Sequence, residues 1–246
     1  MRMGNAKDCS YYDDTFPQPE TQPMTDTLTT HPVASLLARL FAEADEAAIG
    51  LNAMAAALPP GELARLMHSK TEYIDFYSRL KDQPLPVSRA TGALLYMLAR
   101  STGAHAIVEF GTSFGLSTLH LAAALRDNGA GGRLITCEFE PSKVRRARAN
   151  LVAAGLDDLV EIREGDALRT LATGLPGAID LVLLDGAKAL YPEILALLEP
   201  RLRPGALVIA DNADDSPEYL ARVRSVDSGY LSTPFGDDVE VSMRLG

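Results

Sequence analysis

Apolar positions recur along this chain in two rhythms, and the change between them divides it. Val33, Leu36, Leu37, Leu40, Phe41 and Ala44 follow the i, i+3, i+4, i+7 spacing of one buried helical face, with Pro32 suited to a first turn. Pro59, Pro60 and Gly61 break the pattern. A second helical stretch then carries Leu63, Leu66, Met67, Tyr73, Ile74 and Tyr77, until Pro84 and Pro86 end it. Ser88 is placed to cap a third helix through Leu94, Leu95 and Leu98. From His105 onward, short continuous apolar runs alternate with helical segments. Strands are expected at 104–110, 133–139, 159–164, 179–185 and 206–211, and helices at 115–126, 141–154, 166–172, 190–199 and 216–225. This alternation predicts an α/β fold of βαβ units, with a parallel sheet covered on both faces. The last residues form two β-like arms around 234–236, read as an antiparallel pair at one sheet edge with its turn at Gly236 and Asp237. No internal repeat is visible.

Residues 1–30 are rich in Pro, Thr, Asp and Gln and have no apolar period, which predicts a mobile N-terminal extension. Met24 opens a more ordinary N-terminal sequence, so the residues before it read as an appendage. Residues 31–101 are then a helical N-terminal region, acting as a cap or dimer contact. Residues 102–246 are the sheet domain.

Composition narrows the class. The chain has 246 residues, 47% hydrophobic and 23% charged, as a globular protein should. Its formal net charge of −10 repels phosphate backbones, so nucleic acid is an unfavoured partner. No apolar run approaches the roughly 20 residues of a membrane helix, and no basic-then-apolar leader opens the sequence. Cys9 and Cys137 form neither a disulfide framework nor a zinc pattern. A cytoplasmic, reducing location is the expectation.

In open α/β sheets, ligands bind beyond the carboxyl ends of the strands. The first strand ends in Glu109-Phe110-Gly111-Thr112-Ser113-Phe114-Gly115-Leu116-Ser117. Its glycines let backbone approach a ligand, and the following helix start offers free N–H groups to a carboxylate or phosphate. The G-x-x-x-G spacing is not the G-x-G-x-x-G of a dinucleotide site, and Glu109 would repel a pyrophosphate but welcome an ammonium. An amino acid has both charges; an ordinary glycine turn is the plainer reading. Glu138, ending the second strand, is placed to accept from ribose hydroxyls or to be a solvated loop acid. Asp166, after the third, is placed to cap a helix or to accept from an adenine amino group. Together the three ends describe S-adenosyl-L-methionine.

These segments resemble a known family. EFGTSFGLS, CEFEPSK, EGDAL, LLDGAK and ADNAD look like the metal-dependent class I O-methyltransferases, the catechol and caffeoyl-coenzyme A type, over about residues 85–246. The resemblance implies a Rossmann-like sheet, mostly parallel with an antiparallel C-terminal strand pair, preceded by an N-terminal helical extension. It implies that Glu109, Gly111, Ser113 and Ser117 hold the methionine part of the cofactor, and Glu138 the ribose. Phe139 would lie against the adenine, Asp166 and Ala167 would line its edge, and Val87 and Ser88 would close over it.

Asp185, Asp211 and Asn212 end the fourth and fifth strands. Neighbouring strands lie about 4.8 Å apart, so these groups can converge on one ion. Oxygen donors without His or Cys suit a divalent cation such as Mg²⁺, though each residue alone is more often a polar strand end or a turn. Asp185 would also face the cofactor. The resemblance makes Lys188 the base that takes the acceptor's hydroxyl proton, with a pKa depressed by the nearby cation.

The implied activity is transfer of a methyl group to a hydroxyl of a small, aromatic, vicinal-diol-like molecule. A metal-independent methyltransferase and a tRNA-hydroxyl methyltransferase are alternatives. So are a cofactor-binding protein without catalysis and a nicotinamide dehydrogenase. Two features depart from the family: its bulky residues between Asp and Lys are here Gly186 and Ala187, and the chain has no Trp. Catechol is therefore not the expected acceptor, and selectivity is expected from Asp214, Asp215, Ser216 and the arms at 230–238. His105 and His120 read as structural, and Lys143, Arg145, Arg146 and Arg148 as a solvated face. Tyr73, Phe76 and Tyr77 read as core or subunit contact, and the protein as a homodimer.

Overall fold

The computed structural model describes residues 26–246 apart from 130 and 237. The stretch 1–25, the start suspected at Met24, and Asp237 of the expected turn lie outside the described residues. Four helices come first: α1 (Val33–Ala56), α2 (Glu62–Met67), α3 (Tyr73–Ser78) and α4 (Arg89–Ser101). The alternating part follows as β1 (Ala106–Phe110), α5 (Leu116–Asn128), β2 (Arg133–Glu138), α6 (Pro141–Ala154), β3 (Val160–Glu164) and α7 (Ala167–Thr170). It continues with β4 (Ile179–Leu184), α8 (Tyr191–Leu198), β5 (Leu202–Ala210), α9 (Pro217–Val223), β6 (Tyr230–Phe235) and β7 (Val239–Arg244).

The strands form one sheet in the order β3-β2-β1-β4-β5-β7-β6. β1 through β5 pair in parallel, and β7 runs antiparallel to both β5 and β6. This is the expected fold, with the antiparallel pair at one edge. The strand order reverses at β1, whose neighbours are β2 and β4, so the loops leaving these strands open a crevice there.

Both faces of the sheet are buried, which is why its strands read as continuous apolar runs. Ile107, Leu134, Leu181 and Ile209 point to one side, where they share a core with Leu40 of α1, Leu95 of α4 and Leu119 of α5. Val108, Ile135, Val182 and Val208 point to the other, against Leu171, Ile194 and Val223. The six apolar residues read as the face of α1 are its buried residues. Ser88 caps α4, its hydroxyl accepting from the Thr91 N–H at 3.0 Å.

Three expectations change. The single helical stretch after Gly61 is two short helices, because the Ser69 hydroxyl takes the Glu72 N–H at 3.0 Å and competes with helix continuation. Residues 26–30 are held rather than loose: the Thr27 N–H donates to Asp127 Oδ2 at 3.0 Å, and Tyr96 donates to the same oxygen at 2.7 Å. His120 is buried, its Nδ1 2.7 Å from the Leu116 carbonyl, whereas His105 precedes its strand and is exposed.

Candidate active site

The chain leaves β1 through Gly111 at φ +100° and Ser113 at φ +48°, both left-handed. Besides Ser113, Asn212 has a positive φ among the described non-glycine residues, also +48°. Both are candidate site residues, and such strained positions concentrate at ligand sites. Ser113 sits at a junction. Its N–H donates to Glu138 Oε2 at 2.9 Å, and its hydroxyl accepts from the Leu85 N–H at 3.2 Å.

Gly111, Ser113, Glu138, Phe139, Asp166 and Ala167 line one narrow cleft that runs to Asp185. Glu138 is buried and also accepts from the Glu140 N–H at 3.0 Å. Burial pushes its carboxyl up, while the Glu140 N–H, Lys143 and the Ser113 N–H pull against that. Asp166 both lines the cleft and caps α7, accepting from the Leu168 N–H at 3.0 Å.

Glu109 and Ser117 lie beneath this cleft rather than in its wall. The Ser117 and Thr118 hydroxyls donate to the two Glu109 oxygens at 2.6 and 2.7 Å. Complete burial pushes Glu109 up to about 7 against those hydrogen bonds. Val87 is in neither group; it lines a neighbouring, much wider cavity of about 830 Å³.

That second cavity has Asp185, Lys188, Asp211 and Asn212 at its polar end, together with Asp238. Lys188 Nζ donates to Asp185 Oδ1 and to the Tyr191 hydroxyl, both at 2.9 Å. Tyr191 in turn donates to the Asp211 carbonyl at 2.8 Å, so one chain of bonds ties the β4 and β5 exits together. Burial pulls the Lys188 ammonium down, yet Tyr191, Asp185, Tyr77 and Asp211 hold it well above its ordinary value. Lys188 is thus the cation of a little-exposed ion pair with Asp185. Asp211 is pushed up to about 7, first by burial and then by repulsion from Asp185, with Lys188 opposing. Asn212 Nδ2 donates to Asp238 Oδ2 at 2.9 Å. Among the described residues, no three His, Cys, Asp or Glu side chains gather into a metal-binding group.

The two cavities share four wall residues, Tyr77, Leu85, Asp185 and Gly186. Gly186 has no room for a side chain: a Cβ there would meet the Phe110 ring at 2.4 Å. Phe110 therefore fills the space that a bulkier residue between Asp185 and Lys188 would take.

Sequence reasoning missed several of these groups. Lys143 is buried, with Nζ 3.5 Å from Ser113 Oγ in the narrow cleft, not on a solvated face. The signal was there, since Lys143 shares a helical stripe with Ala147, Asn150 and Ala154, all buried. Arg145 and Arg148 do face solvent. Tyr73 and Tyr77 pack on the core as read, and beyond that reading they line the cleft, where the Tyr73 hydroxyl donates to Asp166 Oδ1 at 3.3 Å. Asp214, Asp215 and Ser216 are absent from the wide cavity's wall, which α1, α2, α3 and the 84–89 segment build instead.

Residues 108–213 match the family model described as a methyltransferase domain. The chain is 35% identical over 144 residues to the catechol O-methyltransferase of Mycobacterium tuberculosis, covering 58% of this chain and 64% of that protein. It is 38% identical over 131 residues to the catechol O-methyltransferase of Niastella koreensis, covering 52% and 58%. It therefore spans less than two thirds of either relative's length. Among solved structures, the SAM complex of the O-methyltransferase TomG from Streptomyces achromogenes matches with a TM-score of 0.60 at 29% identity, covering 75% of this chain and 95% of that one.

Proposed function

We propose that the protein methylates a hydroxyl of a small molecule with S-adenosylmethionine as donor, because residues 108–213 match a methyltransferase-domain model and the chain is similar to two catechol O-methyltransferases. A divalent cation, Mg²⁺ by the donor chemistry, assists. The observation that carries this reading is the meeting of two cavities at Asp185, Gly186, Leu85 and Tyr77. A donor in the narrow cleft and an acceptor in the wide cavity come face to face only there.

Each group has a task. Glu138 accepts from the ribose hydroxyls, and its fixed bonds to the Ser113 and Glu140 N–H groups hold it in position. Glu109 supplies negative charge beneath the methionine ammonium. The bound cofactor supplies an electrophilic methyl on a sulfonium; a bound divalent cation supplies a Lewis acid that makes an acceptor hydroxyl more acidic. Asp185, Asp211 and Asn212 would hold that cation. Two carboxylates and an amide oxygen are hard donors, and a cation would offset the repulsion between Asp185 and Asp211 that adds to burial in raising Asp211, so the donor set fits one. Lys188 rests as an ammonium paired with Asp185; with the Asp185 charge turned to the cation, Nζ would release its own proton to solvent, and the neutral amine would then take the acceptor's hydroxyl proton. Apolar walls around the junction exclude water and hold the oxygen in line with the methyl group.

The experiment is a methyl-transfer assay with vicinal diphenols, run with Mg²⁺ and with excess chelator. Transfer with Mg²⁺ that fails in chelator is expected. Full-rate transfer in chelator would leave a metal-independent methyltransferase, with Asp185 and Asp211 structural. Methylation of tRNA in place of the diphenols would overturn the small-molecule reading.

A further inference from the structure

We propose that the acceptor is a large, apolar and mostly uncharged molecule carrying its hydroxyl at one end, with its body housed against α1. This deepens the methyl-transfer reading and rests on it.

The first observation is a seam on α1. Phe41, Ala44, Ala48, Leu51, Ala55 and Leu58 succeed one another in steps of three and four, one continuous apolar stripe that runs just past the helix end. Its beginning is packed, because the buried residues of α1 end at Ala44. Its continuation is not: Leu51, Ala55 and Leu58 are only half-buried, and all six line the wide cavity. Leu63, Leu66, Met67, Phe76 and Leu80 form apolar walls of the same space. The apolar stripe therefore continues beyond the protein that packs on it, and does so inside a cavity.

The second observation is size. At about 830 Å³ the cavity lies in the upper part of the roughly 300–1,000 Å³ range of pockets that take drug-sized ligands. A single-ring diphenol would leave most of that space empty or wet.

The third is charge. Arg89 is neutralised in place by Asp45 at 2.7 Å. The wall carries four acids, Asp45, Asp185, Asp211 and Asp238, against three bases, Arg79, Arg89 and Lys188. Lys188 is paired with Asp185, and Arg79 is exposed. Away from the polar end, Asp45 and Arg89 cancel and Arg79 is the one further charge among the wall residues, so the body of the cavity gives a charged molecule little to pair with. What commits the space to an acceptor, rather than to a second copy of the chain, is its floor. Its polar end is Asp185, Lys188 and Asp211, and Asp185 is shared with the donor cleft.

The test uses 4-alkylcatechols from methyl to octyl, titrated by calorimetry into the full chain loaded with Mg²⁺ and S-adenosylhomocysteine, with methyl transfer measured in parallel. Affinity should rise by about fourfold per methylene over the first several carbons, the fold-change of ~0.8 kcal/mol per buried CH₂. Ala55→Phe, or Ala48→Leu should the first not fold, should flatten that rise, with cofactor affinity reporting an intact fold. An affinity independent of chain length, or a rise unchanged in both variants, overturns the inference. Catechol methylated with a flat series sinks the cavity assignment and leaves methyl transfer standing. A steep series with no methylation of any member supports the cavity assignment and sinks the methyl-transfer reading.

Discussion

Gly111 and Asp185 are in backbone contact: a Cβ on Gly111 would lie 2.4 Å from the Asp185 carbonyl oxygen. The turn that shapes the donor cleft therefore rests directly on the residue where both cavities meet, and the positive φ of Gly111 adds strain to any replacement. Gly111→Ala should destabilise the fold by about 1–3 kcal/mol, the usual cost of overpacking. It should also weaken cofactor binding and acceptor turnover together. Urea unfolding and calorimetry with S-adenosylmethionine read the two effects. Normal cofactor affinity in a destabilised variant would separate the turn from the cleft.

Glu138 is the proposed ribose acceptor. Glu138→Gln keeps the shape and loses the charge, so charge-assisted bonds worth about 1.5–3 kcal/mol should go. Calorimetry should show S-adenosylmethionine binding at least tenfold weaker. Unchanged affinity would remove Glu138 from the cofactor site.

Glu109 makes stability depend on pH. Its carboxyl is near 7 when folded and 4.5 by its ordinary value. Between these values the folded chain holds a proton that the unfolded chain has released. The stability so contributed is complete below pH 4.5 and is lost as pH rises through 7. The loss is on the order of 3 kcal/mol by pH 8. Glu109→Gln should lack this slope, so the stability difference between variant and wild type should shift in favour of the variant from pH 5 to pH 8. Cofactor binding should behave oppositely, since the methionine ammonium favours ionised Glu109: wild-type affinity should rise through pH 7, and the variant's should stay low. Parallel stability curves for the two proteins would refute the assignment.

Lys143 holds the Glu138 carboxyl down against burial, and its own ammonium is itself pulled down by burial. Lys143→Met should leave the fold as stable or more so, because a buried charge is replaced by apolar volume. Glu138 should then ionise at higher pH, and cofactor affinity should start to fall at a higher pH on acidification. Calorimetry across pH 5–8 tests this; superimposable profiles would make Lys143 a packing residue only.

Much of the fold was legible because its signals are periodic. The face of α1 and the apolar strands β1 to β4 need only spacing to be read. The break between α2 and α3 was hidden because the apolar spacing continues across it, while a single Ser69 hydroxyl turns the backbone. β5 starts at Leu202, before Pro204 and Gly205, where its pairing with β4 shifts register between Ile179 and Leu181. Such an irregular start leaves no alternation to count. The strand-end acids were readable because the topology forces them to one edge of the sheet. Tyr73, Tyr77 and Lys143 were not, since their roles depend on how α3 and α6 pack over the crevice. The wide cavity was equally hidden: a stripe that packs and a stripe that lines empty space have the same sequence pattern.

In the proposed function, methyl transfer takes place beside Lys188, where Asp185 joins the two cavities. Single-turnover methyl transfer by Lys188→Arg, with cofactor binding measured on the same protein, tests it most directly. Arginine keeps a cation beside Asp185 but cannot give up a proton at working pH. Near-normal S-adenosylmethionine affinity is expected, with a chemical step slower by roughly 10²–10⁴-fold, the usual range for a lost general base. A variant that binds cofactor and transfers the methyl group at the wild-type rate would contradict it.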